Sequence, residues 1–193
     1  MKNTADIVLL RDFTIQDIED EIRWMTEQTE WIKSDTPWED IEPIDKQELR
    51  SELQDIADNS LDGFVQNRKE IMVNGHHIGF VSLYPMTLDE YDDILPIDDK
   101  DKEKTAVGIE ICEPSFWNQG YGTKALNMWL EYCFKQGIKE VFLETWSGNF
   151  GMIKCAANCG FNRVGIIKNN HMVDGRTVDN ILFLLKAKQV DEN

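Results

Sequence analysis

The sequence predicts one mixed α/β domain, and three observations lead there. The chain has 193 residues, a length that suits one domain or at most two very small ones. It is 41% hydrophobic and 10% aromatic, enough to bury a full core. Its apolar period switches repeatedly between two and 3.6, in the order β-α-α-β-β-β-α-β-α-β-β, with no internal repeat or low-complexity linker.

The elements follow in order. Ile7 to Arg11 reads as a strand. Thr14 with Asp17 three residues on forms a capping-box pattern, and Ile15, Ile18, Ile22 and Met25 give the helix after it a buried stripe. Trp24, Trp31, Pro37 and Trp38 follow in an acidic stretch too irregular for one long helix. Asp45 and Glu48 open a second helix with Leu49, Leu53 and Ile56 on one face. Glu70–Val73, the turn Asn74-Gly75 and Ile78–Tyr84 read as a hairpin. Residues 85–104, with eight acids and two prolines, read as a loop whose aspartates lack the spacing of an EF-hand. Thr105–Cys112 alternates as a strand, with Gly108, Glu110 and Cys112 on one face. A helix over about Gly122–Gln136 ends at Gly137, Val141–Trp146 is a strand, and Asn149–Cys159 is a helix stopped by Gly160. Strands near Asn162–Asn169 and Thr177–Lys186 close the chain around Asp174-Gly175.

Charge excludes one function class. Twenty basic against 36 acidic residues give −16, which argues against gripping nucleic acid by its phosphates. Residues 1–104 hold 27 acids and 11 bases, also −16, so residues 105–193 balance to zero with nine of each. The acidic half serves either solubility or attraction of a cationic ligand. The longest apolar run, Ile181–Leu185, is far short of the ~18 residues of a membrane span. With no apolar leader after Met1, the expected location is cytoplasmic, and Cys112, Cys133, Cys155 and Cys159 are expected as thiols. Their spacing from His76, His77 and His171 does not suit zinc, so no metal is expected.

The segment with chemistry in it is Trp117-Asn118-Gln119-Gly120-Tyr121-Gly122-Thr123, between a strand and a helix. Two glycines one residue apart leave backbone N–H groups unobstructed at the positive end of a helix dipole, a cradle for an anion such as a pyrophosphate. A dinucleotide fingerprint is only partly met, with Ala125 at its last position and Glu144 in mid-strand, and a P-loop fails because no Gly-Lys-Ser/Thr follows.

The run Gly108–Ala125, GIEICEPSFWNQGYGTKA, resembles the acetyl-CoA-binding core of the GNAT superfamily of N-acetyltransferases. Glu144-Thr-Trp-Ser-Gly-Asn149, before a helix ending at Gly160-Phe161, resembles that family's next strand and helix. Trp117 ahead of the glycines is similar to the branch of ribosomal-protein N-terminal acetyltransferases. The resemblance implies a mostly antiparallel central sheet with helices on both faces. It also implies one GNAT domain over residues 1–193, with 1–104 an acidic acceptor-side half and 105–187 the acetyl-CoA-binding core. Gln119, Gly120, Tyr121, Gly122, Thr123 and Lys124 would wrap the pyrophosphate, with Trp117 and Asn118 leading into them. Backbone groups of Ile111 and Cys112 would pair with the pantetheine arm, and Asn149 would hydrogen-bond the cosubstrate while also serving as a helix N-cap.

The implied reaction is direct attack of a neutral amine on the acetyl thioester in a ternary complex. The amine must lose a proton, which calls for a carboxylate. Glu110, on the strand leading to the cofactor loop, is the first choice, and Glu144 the substitute. Many family members carry a tyrosine acid where this chain has Ala156. The acidic first half and Trp24, Trp31 and Trp38 suit a cationic acceptor, a small-molecule amine or a basic peptide N-terminus, unless the tryptophans are core anchors. The alternative function is a catalytically idle acyl-CoA-binding or sensing module. Neither nucleic acid nor membrane is an expected partner, and homodimer formation stays open.

Overall fold

The structure, a computed structural model, describes residues 6–58, 67–91 and 103–188. Among the described residues, seven strands follow the order β1-β2-β3-β4-β5-β7-β6 in a mixed, mostly antiparallel sheet. The chain forms two compact units, Met1–Ser82 with Ile109–Leu126, and Leu83–Gly108 with Asn127–Asn193.

In the first unit, β1 (Val8–Arg11) pairs antiparallel with β2 (Arg68–Val73), and β2 with β3 (His76–Thr87), which continues into the second unit. The β2–β3 turn has φ of 51° at Asn74 and 85° at Gly75, the double positive φ that a tight hairpin needs and that Asn-Gly tolerates. A 3-10 turn, Ile15–Asp17, leads into α1 (Ile18–Thr26). There the Asp17 carboxylate accepts from the Thr14 amide at 2.7 Å and the Thr14 hydroxyl at 2.9 Å, the reach-back half of the expected box. Ile15, in the tight turn, is 57% exposed, and Phe13 is the residue that packs with Ile18 and Ile22. The irregular stretch after α1 contains one short helix, α2 (Glu30–Asp35). In α3 (Lys46–Asp58), Asp45 Oδ1 accepts from the amides of Gln47 and Glu48, and Leu49, Leu53 and Ile56 pack on Phe13, Ile18 and Ile22 as their spacing predicts.

In the second unit, β4 (Glu103–Ile111), whose last residues belong to the first unit, lies parallel to β5 (Glu140–Trp146), with Ala106 opposite Phe142. β5 pairs antiparallel with β7 (Arg176–Lys186), and β7 with β6 (Asn162–Val173), around a turn with positive φ at Asp174 and Gly175. β6 is longer than its pattern predicts because three residues, Lys168–Asn170, bulge out of register and pairing resumes at His171. Asp179 holds the bulge through Lys168 Nζ at 2.6 Å and the Asn169 amide at 3.0 Å. The expected loop over 85–104 needs correction at both ends. Pro85–Thr87 completes β3, Asp89–Tyr91 is a 3-10 turn, and Glu103 already starts β4, while 92–102 lie outside the described residues. Leu88 and Tyr91 from this acidic run join Ala106, Phe142 and Leu182 in a core cluster.

Helix α4 (Tyr121–Lys135) presents Ala125, Leu126, Trp129, Leu130 and Cys133 on one buried stripe and ends at Gly137 with φ 91°. Helix α5 (Phe150–Asn158) is capped by Asn149, whose side chain accepts from the Met152 amide at 3.0 Å. It stops at Gly160, φ 85°, with the Phe161 amide returned to the Ala156 carbonyl at 3.1 Å. No helix among the described residues is long and apolar enough to cross a membrane.

Candidate active site

The predicted cofactor segment begins where β4 leaves the sheet. The amides of Cys112 and Glu113 both donate to the Ile78 carbonyl, at 2.8 and 3.3 Å, so Cys112 turns its backbone toward β3. Strand alternation turns the backbone of Ile111 to the opposite edge. There the Ile111 carbonyl accepts from the Trp117 indole N–H at 2.6 Å, which folds the loop back on the strand. Of the two residues expected to pair with a pantetheine arm, Ile111 is therefore the one with its amide toward that edge, and the Cys112 amide is spent on Ile78.

A 3-10 turn, Pro114–Phe116, carries the chain to the glycines. Asn118 and Gly120 take φ of 60° and 84°, so the chain reverses just before α4 starts. A Cβ on Gly120 would meet nothing within 4 Å, so the backbone there is open to close approach. From Tyr121 onward the first amides of α4 point ahead of the helix rather than to carbonyls within it, and the Lys124 amide makes the first helical bond, to Gly120 at 3.1 Å. The Tyr121 ring is buried and its hydroxyl donates to Asp6 at 2.7 Å, so this residue offers a ligand its backbone. Gln119 Nε2 donates to the Ser115 carbonyl at 2.6 Å, and Lys124 is exposed. Open glycine, reversed chain and helix terminus together fit a pyrophosphate.

Glu110 lies one residue before this edge. No hydrogen bond reaches its carboxylate among the described residues, although protein atoms crowd it closely and part of the residue still meets solvent. Burial, reinforced by Asp35 and opposed by Arg68, pushes its carboxyl well above the usual carboxylate range. Gly79 on β3 permits the approach: a Cβ there would lie 2.9 Å from the Glu110 carbonyl carbon and 3.0 Å from Ile111 Cα.

A buried charge network that sequence reasoning missed occupies the same unit. Arg68 bonds Glu70 at 2.8 Å and Glu21, and its guanidinium lies 3.6 Å from the Phe80 ring centroid. His77 bridges Glu70, at 2.9 Å from Nε2, and Asp20, at 3.1 Å from Nδ1, beneath the Trp24 ring. Two sets, Asp17–Asp20–His77 and Glu21–Glu70–His77, bring metal-ligand atoms within 4.8 Å of one another. Arg11, Arg23 and Arg68 already pair with their carboxylates, so the protein's own cations offset that charge. Burial pulls the His77 pKa down, but Glu70, Asp17 and Asp20 outweigh it and leave it raised. Stability from a raised histidine is fully present below its unfolded value near 6.5 and is lost as pH rises through the folded value. The thermal midpoint should therefore fall on going from pH 6 into that higher range, and His77→Gln should flatten this limb of the curve.

The tryptophans divide. Trp24 is fully buried, 0% exposed, and its indole donates to Glu113 Oε1 at 2.8 Å, which Arg23 also pairs. That is the position of a core anchor. Trp31 donates to the Trp24 carbonyl at 3.0 Å and sits edge-on to Phe80, and Trp31 and Trp38 are both half-buried.

In the second unit Glu144 has both oxygens occupied, by the Tyr91 hydroxyl at 2.6 Å and Asn180 Nδ2 at 3.2 Å. Burial raises its pKa while Tyr91 opposes the rise, and burial beside Glu144 raises that of Tyr91. Tyr91 was hidden in an acidic run, and its nearness to Leu88 was the one local sign of a core turn. Ala156 is fully buried, and all four cysteines are buried thiols.

The fold and the glycine cradle define an enzyme class, the acetyl-CoA-dependent N-acetyltransferases. The model of the acetyltransferase (GNAT) domain family matches residues 8–162, and the chain belongs to that family. No curated protein sequence matches it. Among solved structures it is similar to YncA, a putative acetyltransferase from Salmonella typhimurium with acetyl-CoA, at 15% identity and TM-score 0.67, covering 95% of this chain and 96% of that one. It is also similar to a ribosomal-protein-alanine N-acetyltransferase from Brucella melitensis, at 16% identity and TM-score 0.63, covering 93% and 99%. A third is RimL, a ribosomal L7/L12 α-N-protein acetyltransferase in complex with coenzyme A, at 15% identity and TM-score 0.65, covering 93% of each.

Proposed function

We propose that this protein transfers acetyl from acetyl-CoA to the primary amine of a cationic acceptor by direct attack in a ternary complex. The carrying observation is that Glu110, a crowded carboxylate with raised pKa, lies one residue before the strand edge that leads into the glycine cradle. When bound, acetyl-CoA supplies the activated acyl group. Gln119 to Lys124 hold its pyrophosphate, chiefly through backbone amides, with Trp117 and Asn118 shaping the approach. The Ile111 amide aligns its arm, and Asn149 adds a side-chain contact. Glu110 takes a proton from the acceptor's ammonium group, and the neutral amine so formed attacks the thioester carbonyl. The carbon–sulfur bond then breaks to release coenzyme A as its thiolate. Burial raises the Glu110 carboxyl above the usual carboxylate range and makes it a stronger base. Glu144, tied to Tyr91 and Asn180, is the less available base.

The whole chain acts as one GNAT domain with an acidic acceptor-side half in a cytoplasmic setting. The excess acid of residues 1–104 supports a cationic acceptor: a polyamine, an aminoglycoside or a basic peptide N-terminus. The ribosomal-protein acetyltransferases among its structural relatives agree with the last. The test is thiol release from acetyl-CoA against a panel of these three amine classes. Amine-dependent release is expected, with one class preferred by kcat/KM. Coenzyme A binding with no release from any amine would turn the reading into a sensing module.

A further inference from the structure

The buried network around Arg68 lies on the same face of the sheet as Glu110. The bond from the Cys112 amide to the Ile78 carbonyl sets the pairing of β4 with β3, and two residues further along each strand it brings Phe80 beside Glu110. Glu70 on β2 lies opposite Phe80 on its other side. Cross-strand neighbours share a face, so Glu70, Phe80 and Glu110 form one row. Arg68 reaches over that row. Its guanidinium lies 3.6 Å from the Phe80 ring centroid and bonds both oxygens of Glu70, at 2.8 and 3.2 Å, together with Glu21 on α1. Held on three sides and only 12% exposed, the cation is fixed in place. The charged and titratable groups around the row are Asp35 from α2, Glu21 from α1, Arg68 and Glu70 from β2, His77 from β3 and Cys112 from β4. Of those that act on Glu110, Asp35 disfavours its charge, as burial does, and Arg68 favours it.

We propose that Arg68 is a positioning residue of the acetyl-transfer site: anchored by Glu21, Glu70 and Phe80, its guanidinium is the fixed counter-charge that returns Glu110 to the ionised form after each turnover. This rests on the reading of Glu110 as the base. A carboxyl that has taken a proton from an ammonium group must give it to water before the next acceptor is processed, and part of Glu110 meets solvent. Burial and Asp35 hold that proton on, and the guanidinium works against both. Arginine suits the task because it keeps its charge at every working pH.

The test is the pH dependence of kcat/KM in Arg68→Gln and Arg68→Lys, with the Glu110 carboxyl followed in parallel by carboxyl-carbon NMR. Loss of the cation should move the Glu110 inflection up by about 1–3 pH units. Activity lost at neutral pH should return at higher pH, which damage to the fold would not produce. Lysine keeps the charge and should restore most of that shift. Glutamine removes the arginine paired with Glu21, so Glu21→Gln combined with Arg68→Gln, which takes away both charges, keeps the test available if the single variant does not fold. The same upward shift is expected there. An inflection and a carboxyl titration that stay in place in the folded glutamine variant overturn the proposal, and so does a lysine variant shifted as far as glutamine. Failure of the underlying reading looks different: the starting protein then acetylates no amine, or keeps its inflection in Glu110→Gln, and this inference goes with it.

Discussion

Glu110→Gln should abolish most of the turnover while leaving coenzyme A affinity unchanged. Losing a positioned general base costs about 10²–10⁴-fold in kcat, and glutamine keeps the size and polarity of the side chain. No hydrogen bond from a described residue is broken by the change, so folding should survive it. The pH profile gives the sharper signature. A base works deprotonated, and burial with Asp35 nearby pushes the Glu110 carboxyl well above the usual carboxylate range. Activity should therefore climb with pH through that raised value and fall away below it. In Glu110→Gln this inflection disappears, and only the titration of the acceptor amine remains. Glu144→Gln should change kcat by less than about tenfold, since that carboxylate already holds two hydrogen bonds. Full activity in Glu110→Gln, with the inflection intact, would remove the residue from the mechanism.

Gly79→Ala should destabilise the protein by about 2–4 kcal/mol, from a methyl forced onto packed backbone and from strain at positive φ together. The position has φ 149°, and the added carbon would press on the carbonyl group of Glu110 in the neighbouring strand. Gly75→Ala is the control: its φ is 85°, but the added carbon meets nothing within 4 Å, so only the strain, about 1–2 kcal/mol, applies. Urea midpoints measure both. Because the intrusion falls on the backbone of the proposed base, Gly79→Ala should also lower kcat in the fraction that stays folded. Equal costs at the two glycines would show that β4 does not press on β3 there.

Much of this was legible in the sequence because it is local. Asn74-Gly75 and Asp174-Gly175 announce their turns through the φ values they tolerate, and Asp45, Asn149 and Gly160 announce helix ends. The Gly120-Tyr121-Gly122 cradle belongs to the same group: a reversed chain leading into a helix needs only neighbouring residues. Where the sequence misled, a distant partner outweighed the local pattern. Acid-rich composition made 85–104 read as a loop, yet Leu88 and Tyr91 are buried there, Tyr91 at 1% exposed, because Phe142 and Leu182 cover them. The spacing that put Ile15 on the helical stripe ignored a 3-10 turn, and Phe13 packs on Ile18 and Ile22 while Ile15 stays exposed.

The candidate site divides along the same line. Motif and resemblance pointed to the family, to a candidate cofactor segment, and to Glu110 and Glu144 as the carboxylates to weigh, since motif spacing survives without knowledge of contacts. Tertiary structure distinguished those two carboxylates, leaving one crowded but without a hydrogen bond among the described residues and the other engaged by Tyr91 and Asn180. It also joined His77 to Asp20 across 57 positions and Arg23 to Glu113 across 90, and left Thr145 Oγ1 without a hydrogen-bond partner among the described residues. Protonation, burial and hydrogen-bond satisfaction are properties of a side chain's surroundings, and those surroundings are assembled from residues far apart in the chain.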